Sequence, residues 1–396
     1  MTMLAVNAGS STLKFALYPV QDTRVGRATL TGVIEGLEAG RPLTMSWRVA
    51  EQAFQEPIDT DRDDPFQAAL GALQRVFRQA SAGSGLQAVA HRVVHGGESY
   101  RHAIHVDEAA LQALSHLSAL APLHQSHNIE GIRAFGQAFP DVPQIACFDT
   151  AFHAGIPEVE HRFALPQALR QQGIRRYGFH GLSYHYVMDA LNQASGRARG
   201  RVIMAHLGSG ASICAANQGK SCATSMGFSA LDGLMMGTRS GALDAGVVLY
   251  LMSQGWDHDR LQNLLYRQSG LLGVSGISAD MRRLRESRDP MARLAIDMFT
   301  HRVIREAGAM TACLGGLDVL AFTGGIGEHD AVLRAAVCHQ LAFLGIALDH
   351  EKNRAASPEA PAALHKPGSS VEVWMIPTDE GRVACREAAL LLNTSG

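Results

Sequence analysis

The stretch MLAVNAGSSTLKFALY, residues 3 to 18, consists of two short apolar runs separated by a small, polar turn that contains a glycine. Apolar runs of this length around such a turn are typical of a β-hairpin. The turn is longer than an ordinary Asn-Gly or Asp-Gly hairpin turn and is rich in hydroxyl groups. Glycine lets backbone N–H groups approach an anion, hydroxyls donate hydrogen bonds, and Lys14 adds positive charge. These residues leave two interpretations open, an anion-binding hairpin and a solvated loop.

Length and composition restrict the class of protein. A chain of 396 residues exceeds one ordinary hydrophobic core, which predicts two domains. The 35 basic and 37 acidic residues give a formal net charge of −2, which argues against a nucleic-acid-binding surface. No apolar run approaches the roughly 18 residues of a membrane span. The first strand begins at Met3, which leaves no room for a signal peptide, so we expect a cytoplasmic protein without a membrane partner.

The cysteines show no CxxC pair or other metal-binding spacing. We interpret them as reduced and mostly structural thiols. They are Cys147, Cys214, Cys222, Cys313, Cys338 and Cys385.

A second hairpin pattern occurs about half a chain later, in VIMAHLGSGASICAANQGKS, residues 202 to 221. An apolar strand is followed by the turn Gly208-Ser209-Gly210 and by a second strand from Ser212 to Ala216. Duplicated domains that each present a phosphate-binding hairpin would explain both patterns. The alternative is coincidence, since many α/β proteins contain Gly-Ser turns.

A third glycine cluster lies in VLAFTGGIGEHDAVLRAAVCHQLAFLG, residues 319 to 345. A buried strand is followed by Gly324, Gly325 and Gly327 and then by a helical pattern that ends near Gly345. A strand, a glycine turn and a helix N-terminus commonly bind nucleotides. Because the GxGxxG fingerprint is absent, a dinucleotide-binding fold is not supported. A tight structural turn is the alternative.

Two arginines occur where a guanidinium needs an anionic partner. Arg92 lies in the apolar run AVAHRVVHGG, residues 88 to 97, and Arg239 lies in MMGTRSG, residues 235 to 241. The planar fork of arginine pairs with carboxylate or phosphoryl oxygens, so the two residues suggest a doubly anionic set of substrates. Internal salt bridges are the alternative for each.

Three further residues are candidates for the chemistry. Asp149 ends the strand QIACFDT, residues 144 to 150, where a carboxylate could hold hydrated Mg²⁺ or only cap the next segment. His180 in RYGFHGLS is compatible with a core histidine, and Glu380 in IPTDEG with a first-turn charge of a helix.

Ten ordered segments together resemble the acetate kinase family, and the resemblance extends from Asn7 to Glu380. The segments are VNAGSSTLKF, HRVVHGGE, APLH, FDTAFH, RRYGFHGLSYHYV, HLGSGAS, GFSALDGLMMGTRSG, SGISADMR, FTGGIGE and PTDE. The resemblance implies the α/β fold of the acetate and sugar kinase, actin-like superfamily, with two duplicated, ribonuclease H-like domains and a nucleotide cleft between them. The expected first domain is 1–149 plus 377–396, and the second, 150–376, carries the nucleotide site and the dimer interface.

The implied reaction is the reversible transfer of a phosphoryl group from ATP to acetate or propionate, which gives ADP and an acyl phosphate. ATP and Mg²⁺, for which Mn²⁺ can substitute, are implied, as is a homodimer. The resemblance assigns catalysis to Arg92, Asp149, His180 and Arg239, with Arg92 and Arg239 holding carboxylate and phosphoryl group, and it associates Asn7, Asp149 and Glu380 with the metal and phosphates. It assigns the nucleotide and its phosphates to Ser10, Thr12, Lys14, His206, Gly208, Ser209, Gly210, Asp280, Arg282, Gly324, Gly325 and Gly327. It assigns the apolar acyl pocket to Val94, Leu123, Phe179 and Ala230.

Several positions depart from the usual family pattern. The family usually has Asn at Ser209, Thr and His at Leu182 and Tyr184, Thr-Pro at Ser229-Ala230, Asp and Pro at Ala242 and Ala245, and Asn-Pro at Gln125-Ser126. The charged set is intact, which favours an active enzyme. An alcohol or sugar kinase of the same superfamily would need a base directed at a hydroxyl group. A nucleotide-binding protein with a degenerate site would be expected to lack at least one charged residue.

Overall fold

The computed structural model describes residues 1–9, 11–38, 41–59, 65–80, 85–121 and 124–394. The contacts within the chain divide it into two units. Unit 1 contains Met1–Ala151 and Asp379–Gly396, and unit 2 contains Phe152–Thr378. The chain therefore leaves unit 1 after its first third and returns to it with the C-terminal helix.

Unit 1 is built around a mixed β-sheet. Its strands are β1 (Thr2–Ala8), β2 (Thr12–Gln21), β3 (Arg24–Val25), β4 (Leu30–Glu35), β5 (Thr44–Val49), β6 (Gln52–Pro57), β7 (Leu86–Val93), β8 (Ile104–His105) and β9 (Gln144–Phe148). The order is β6-β5-β4-β2-β1-β7-β9-β8, and β3 pairs with β2. β1 pairs antiparallel with β2 and parallel with β7, and β7 pairs parallel with β9. The hairpin predicted from residues 3 to 18 is therefore at the centre of the sheet.

Helices pack on the sheet of unit 1. They are α1 (Pro65–Ala80), α2 (Glu108–His116), α3 (Gln125–Ala138) and, from the end of the chain, α15 (Glu380–Thr394). Because side chains alternate along a strand, the side chains of β1 point to both faces of the sheet. Leu4 and Val6 belong to a core cluster that includes Leu73 of α1 and Phe135 of α3. Ala5 points to the other face, where it lies against Gly381 of α15.

Unit 2 repeats this arrangement. Its strands are β10 (Arg201–Leu207), β11 (Ala211–Asn217), β12 (Lys220–Thr224), β13 (Val319–Thr323), β14 (Ala362–Ala363) and β15 (Glu372–Met375). They run in the order β12-β11-β10-β13-β15-β14. β10 pairs antiparallel with β11 and parallel with β13, which pairs parallel with β15. The series β12-β11-β10-β13-β15 thus matches β4-β2-β1-β7-β9 of unit 1, as duplication of an α/β unit predicts.

The helices of unit 2 are α4 (Glu158–His161), α5 (Gln167–Gln171), α6 (Gly181–Ala194), α7 (Ala245–Ser253), α8 (His258–Arg267), α9 (Gly270–Ser275), α10 (Met281–Glu286), α11 (Pro290–Leu314), α12 (Gly324–His329), α13 (Ala331–Gln340) and α14 (His350–Ala355). The side chain of Asp289 caps the N-terminus of α11, and Gly315 at φ 70° ends it. α6 packs on β10, where Val187 and Leu191 join a cluster with Val202 and Met204.

The third glycine cluster follows a strand, as predicted, but its glycines form the start of a helix, α12, and the helical pattern is divided between α12 and α13. α12 ends at His329, and Asp330 begins α13 by accepting a hydrogen bond from the Leu333 N–H at 2.9 Å. An aspartate in this position caps a new helix, and the helical pattern ends at Gly345, where the sequence predicted its end.

No helix in the described parts of the chain combines the length and the apolar character that a membrane crossing requires.

The six cysteines carry free thiols, and four of them are buried. Burial raises the pKa of Cys214 and of Cys338 to about 12, so these thiols stay protonated and unreactive. The structural interpretation of these cysteines fits their surroundings.

Candidate functional site

Three polar residues of unit 1 lie at the carboxyl ends of neighbouring parallel strands. Asn7 lies near the end of β1, Arg92 near the end of β7, and Asp149 directly after β9. The registers place Val6 opposite His91 and Arg92 opposite Cys147, so all three side chains belong to one edge of the sheet. Ligands of open α/β sheets bind at this edge.

Arg92 and Asp149 form a bidentate ion pair. Nε of Arg92 lies 3.0 Å from Oδ1 of Asp149, and Nη2 lies 2.6 Å from Oδ2. The Asp149 side chain is only 1% exposed, and that of Arg92 is 20% exposed. Burial alone would lower the pKa of Arg92, but the charges of Asp149 and Glu380 raise it, so the guanidinium stays charged. An internal salt bridge, the alternative for Arg92, is thus present.

Glu380 also faces Arg92. Its Oε2 lies 3.3 Å from Nε of Arg92. Glu380 is in the first turn of α15, but the capping is done by Asp379, whose Oδ1 accepts from the Arg382 N–H at 3.0 Å and from the Tyr18 hydroxyl at 2.6 Å. The Glu380 carboxylate is therefore directed at the arginine and is not merely a first-turn charge.

The oxygen donors at this edge can bind a hard cation such as Mg²⁺ only if water or substrate oxygens supply further ligands. Within the described residues, no group of three or more His, Cys, Asp or Glu side chains is placed to hold a metal ion. Asp149 and Glu380 supply two carboxylates on one arginine. Mg²⁺ is commonly held by one or two carboxylates, with water and phosphate oxygens completing its shell. The donor set fits that mode and does not fit a cage made of protein ligands alone.

The turn of the first hairpin is closed by a hydrogen bond from the Gly9 N–H to the Thr12 carbonyl at 2.8 Å. Asn7 and Lys14 are opposite each other in the β1–β2 register. The carboxamide of Asn128 joins this hairpin to the next strand, since it donates to the Ala8 carbonyl at 2.8 Å and accepts from the Val94 N–H at 3.0 Å. Sequence reasoning missed Asn128.

Two predicted residues, Ser10 and Leu123, lie outside the described residues.

His180 of unit 2 has a constrained geometry. It precedes α6 and has φ 60° and ψ 24°, a left-handed conformation that is uncommon for a residue with a side chain. Its Nδ1 lies 2.8 Å from the Ser212 hydroxyl. The ring is stacked on that of His206 with centroids 4.2 Å apart, and Nδ1 of His206 lies 2.8 Å from the Ser183 hydroxyl. The interpretation of His180 as an ordinary core histidine does not account for this geometry.

Gly210 is where His180 and Arg239 approach each other. A Cβ atom added to Gly210 would lie 3.4 Å from Nε2 of His180 and 3.8 Å from Nη1 of Arg239. Nη1 of Arg239 also donates to the Ala230 carbonyl at 3.1 Å, which fixes the direction of the guanidinium. Two nitrogen donors that approach one point in this way suit the binding of an anion.

The two glycine turns of unit 2, 208–210 and 324–327, lie next to each other beside Gly210. The Gly208 N–H donates to the Gly210 carbonyl at 3.0 Å, and a Cβ on Gly208 would lie 3.9 Å from the Gly325 nitrogen. Gly324 has φ 77°, and a Cβ there would lie 2.8 Å from the Leu207 carbonyl oxygen, so glycine is required. Gly327 is buried in α12. The exposed Ser209 accepts from the Gly237 N–H at 3.0 Å through its carbonyl.

Glu328 fixes the N-terminus of α12, and sequence reasoning missed it. Its Oε1 accepts from the Gly324 N–H at 2.8 Å and from the Thr378 N–H at 3.1 Å. The buried Arg334 donates to the carbonyls of Gly327 and Glu328 at 2.9 and 2.7 Å. The side chains of Glu328 and Arg334 thus hold the start and the end of α12.

Asp280 and Arg282 form a local pair near Gly237. Asp280 caps α10 by accepting from the Arg282 N–H, and its carboxylate holds the Arg282 guanidinium at 2.7 and 3.1 Å. These hydrogen bonds lower the pKa of Asp280 to about 2. A Cβ on Gly237 would lie 3.4 Å from the Ala279 carbonyl oxygen, which places this segment against the glycine turns.

The predicted acyl-pocket residues are divided between the units. Val94 follows β7 in unit 1 and is buried. Phe179 and Ala230 belong to unit 2, where the Phe179 carbonyl is 3.0 Å from Nε2 of the buried His153. Ala230 is half-buried and is linked to Arg239 through its carbonyl.

Comparison with known proteins gives whole-chain similarities. The model of the acetokinase family matches residues 2–386. The acetate kinase of Rhodopseudomonas palustris (strain ATCC BAA-98 / CGA009) is 46% identical over 390 residues, which cover 97% of this chain and 96% of that protein. The acetate kinase of Nitrobacter hamburgensis is 43% identical over 401 residues, covering 100% and 97%.

Solved structures give the same result. A propionate kinase from Francisella tularensis subsp. tularensis SCHU S4 superposes with a TM-score of 0.89 at 35% identity, and the match covers 98% of each chain. The acetate kinase of Porphyromonas gingivalis superposes with a TM-score of 0.87 at 33% identity over 99% of each chain.

Proposed function

Since this chain belongs to the acetokinase family, we propose that it transfers the γ-phosphoryl group of ATP to a short-chain carboxylate. The observation that carries this proposal is the approach of Nε2 of His180 and Nη1 of Arg239 to the same side of Gly210, next to the glycine turns. The two-sheet α/β fold is that of acetate and propionate kinases. The predicted family, kinase class and actin-like fold are thereby confirmed.

The proposed reaction needs no general base. A carboxylate is already ionised at neutral pH, so one of its oxygens attacks the γ-phosphorus directly. The new bond joins that oxygen to phosphorus, and the bond from phosphorus to the β,γ-bridging oxygen breaks, with its electron pair leaving on ADP. No proton is transferred. The protein must align the reactants and neutralise the charge on the transferring group.

The residues of unit 2 provide donors for the phosphoryl group. Arg239 and His180 would donate hydrogen bonds to its equatorial oxygens from the side of Gly210. The backbone around Gly208 and Gly325 would surround the adjoining phosphates, with His206 held behind them by its stacking on His180. Asp280 and Arg282 would contact the nucleoside part.

The residues of unit 1 would hold the carboxylate and the metal. Nε and Nη2 of Arg92 are engaged by Asp149, whereas Nη1 has no hydrogen-bond partner among the described residues. We assign that donor to the substrate carboxylate. Asp149, Glu380 and Asn7 would hold Mg²⁺, for which Mn²⁺ can substitute, and which neutralises the phosphate charge when it is bound. Thr12 and Lys14 would contact the phosphates from the first hairpin.

An alcohol or sugar kinase, the alternative in a different substrate class, needs a carboxylate poised to take a hydroxyl proton. Both oxygens of Asp149 are instead engaged by the Arg92 fork, so the carboxylate is directed at the guanidinium. This geometry and the family membership both favour the carboxylate kinase.

The proposed function is tested by a panel of acceptors. Purified protein with ATP and Mg²⁺ is given acetate, propionate, butyrate or glycerol, and ADP release is measured. We expect release with acetate and propionate and none above background with glycerol. Turnover with glycerol alone would support an alcohol kinase instead. Binding of ATP without turnover of any acceptor would support a degenerate site.

We further propose that the actin-like domains are 1–149 plus 377–396 and 150–376, with the second carrying the nucleotide site. These bounds lie within two residues of those of the two units, which supports the division. We place the reaction in the cytoplasm, where ATP is available.

A homodimer through unit 2 is supported by an apolar surface. In α7, Leu249, Tyr250 and Met252 are 67%, 63% and 55% exposed, and no residue of that helix is buried. Exposed apolar patches of this kind mark interaction sites. We expect Leu249→Asp to convert a dimer to a monomer in light scattering. Val159→Asp is the control, since Val159 is 87% exposed on α4. A monomeric native protein, or an unchanged mass for Leu249→Asp, would contradict the proposal.

The acyl preference should depend on Ala230. Alanine lacks the ring carbons of the proline that the family usually carries, so the pocket wall should be set back. Burial of one more methylene contributes roughly 0.8 kcal/mol, or about fourfold in kcat/KM. We expect propionate to approach or exceed acetate, and Ala230→Pro to shift the ratio towards acetate. The Ala230 carbonyl, which holds Arg239, is retained in the variant. A native acetate preference that the substitution leaves unmoved would refute this prediction.

A further inference from the structure

Tyr184, one of the departures from the usual family pattern, is linked to His180 through Ser212. Tyr184 lies on α6, one helical turn after His180, and its side chain is completely buried. Its hydroxyl oxygen is 2.5 Å from the Ser212 hydroxyl oxygen. The same Ser212 oxygen is 2.8 Å from Nδ1 of His180. The three groups form one short hydrogen-bonded chain.

The direction of the protons along this chain follows from its first member. Burial raises the pKa of Tyr184 well above its ordinary value, so the phenol keeps its proton at neutral pH. Among the described residues, Ser212 is the hydrogen-bond partner that the structure gives the phenol. Because a buried O–H that donates to no acceptor is costly, the phenol donates its proton to the Ser212 oxygen.

Ser212 has a single proton to donate. When its oxygen accepts from Tyr184, that proton is directed to the remaining neighbour, Nδ1 of His180. A neutral imidazole that accepts at Nδ1 carries its proton at Nε2. Nε2 is the ring atom nearest to Gly210, on the side where Nη1 of Arg239 also lies.

We propose that Tyr184 is a positioning residue that, through Ser212, holds neutral His180 as the Nε2–H tautomer with its donor directed at the transferring phosphoryl group. This inference rests on the proposed function only for the identity of the group that receives the hydrogen bond. The tautomer itself is a property of the protein alone. Histidine, the usual family residue at this position, has two ring nitrogens that can exchange donor and acceptor roles, whereas the phenol of Tyr184 has a single proton and Ser212 beside it as acceptor.

The test measures the tautomer directly. In protein labelled with ¹⁵N-histidine, two-bond ¹H–¹⁵N spectra distinguish the Nε2–H from the Nδ1–H form, and the His180 signals are those that disappear in His180→Asn. We expect the Nε2–H form in the native protein and a mixture in Tyr184→Phe. Ser212→Ala, which removes the middle of the chain, should give the same mixture. Tyr186→Phe, which removes a hydroxyl from the same helix, should leave the tautomer unchanged.

Kinetics supply the second readout. Loss of one neutral hydrogen bond corresponds to a fall in kcat of about three- to tenfold in Tyr184→Phe, with both KM values within about twofold of native. Tyr184→His should recover part of the loss. A native-like Nε2–H signal in both Tyr184→Phe and Ser212→Ala would overturn the proposal, even if kcat fell. If the native protein shows no phosphoryl transfer, the proposed function fails, while the tautomer spectra still decide this inference.

Discussion

Replacing Arg92 with lysine is expected to lower kcat by two to three orders of magnitude while the protein remains folded. Lysine keeps the charge but has no fork, so it cannot hold both oxygens of Asp149, face Glu380 and still donate to a substrate. Loss of one preorganised charge contact costs about 3 to 4 kcal/mol in the transition state. Because Asp149 and Glu380 lose their fixed partner, the dependence of the rate on Mg²⁺ concentration should also change.

The control for this variant is Arg75→Lys. Arg75 is on the same unit, 58% exposed, and forms only a surface ion pair with Glu56 at 3.3 Å. It should retain native kcat and native melting temperature. Near-native kcat in folded Arg92→Lys would remove Arg92 from the mechanism and leave it as an internal salt bridge.

Arg239→Lys should show an equally large loss through a different contact. Nη1 of Arg239 is directed by the Ala230 carbonyl and reaches the space beside Gly210 and His180. A lysine ammonium can satisfy the carbonyl or approach the phosphoryl group, but it cannot do both with fixed geometry. We expect kcat to fall by about 10²- to 10³-fold. The KM for ATP should change much less, because the glycine turns remain.

Circular dichroism and the melting temperature establish whether Arg239→Lys is folded. Arg293→Lys is the matched control, since Arg293 is 85% exposed and forms only an i,i+4 pair with Asp297. If Arg239→Lys loses affinity for ATP but keeps kcat at saturation, Arg239 binds the ground state and is not the transition-state donor proposed here.

The sequence was sufficient for the parts of the fold that depend on neighbouring residues. Both hairpins join strands that are adjacent in the chain, and their apolar runs and glycine turns mark the strand ends. The change from strand to helix after β13 was also predicted, although Gly324 and Gly325 belong to α12 and not to a separate turn. The break at Asp330 was missed, although an aspartate before a helical segment is a capping signal.

The contacts of the candidate site depend on residues far apart in the chain. Asp149 and Glu380 were both predicted as site residues. No local sequence pattern, however, reveals that Asp149 forms a bidentate ion pair with Arg92 or that Glu380 lies near its Nε. The link from Tyr184 through Ser212 to His180 joins a helix to a strand, so it becomes visible only in the folded chain. The roles carried over for the site residues stay predictions until the variants are measured.

The central claim is that the phosphoryl group of ATP is transferred directly to a carboxylate. It is tested by ³¹P NMR of native protein with ATP, Mg²⁺ and acetate, with Arg239→Lys as the matched sample. We predict an acyl phosphate resonance that grows in a 1:1 ratio with ADP, disappears when hydroxylamine is added, and is almost absent from the Arg239→Lys sample over the same period. Formation of ADP and inorganic phosphate from the start, without an acyl phosphate resonance, would contradict the account.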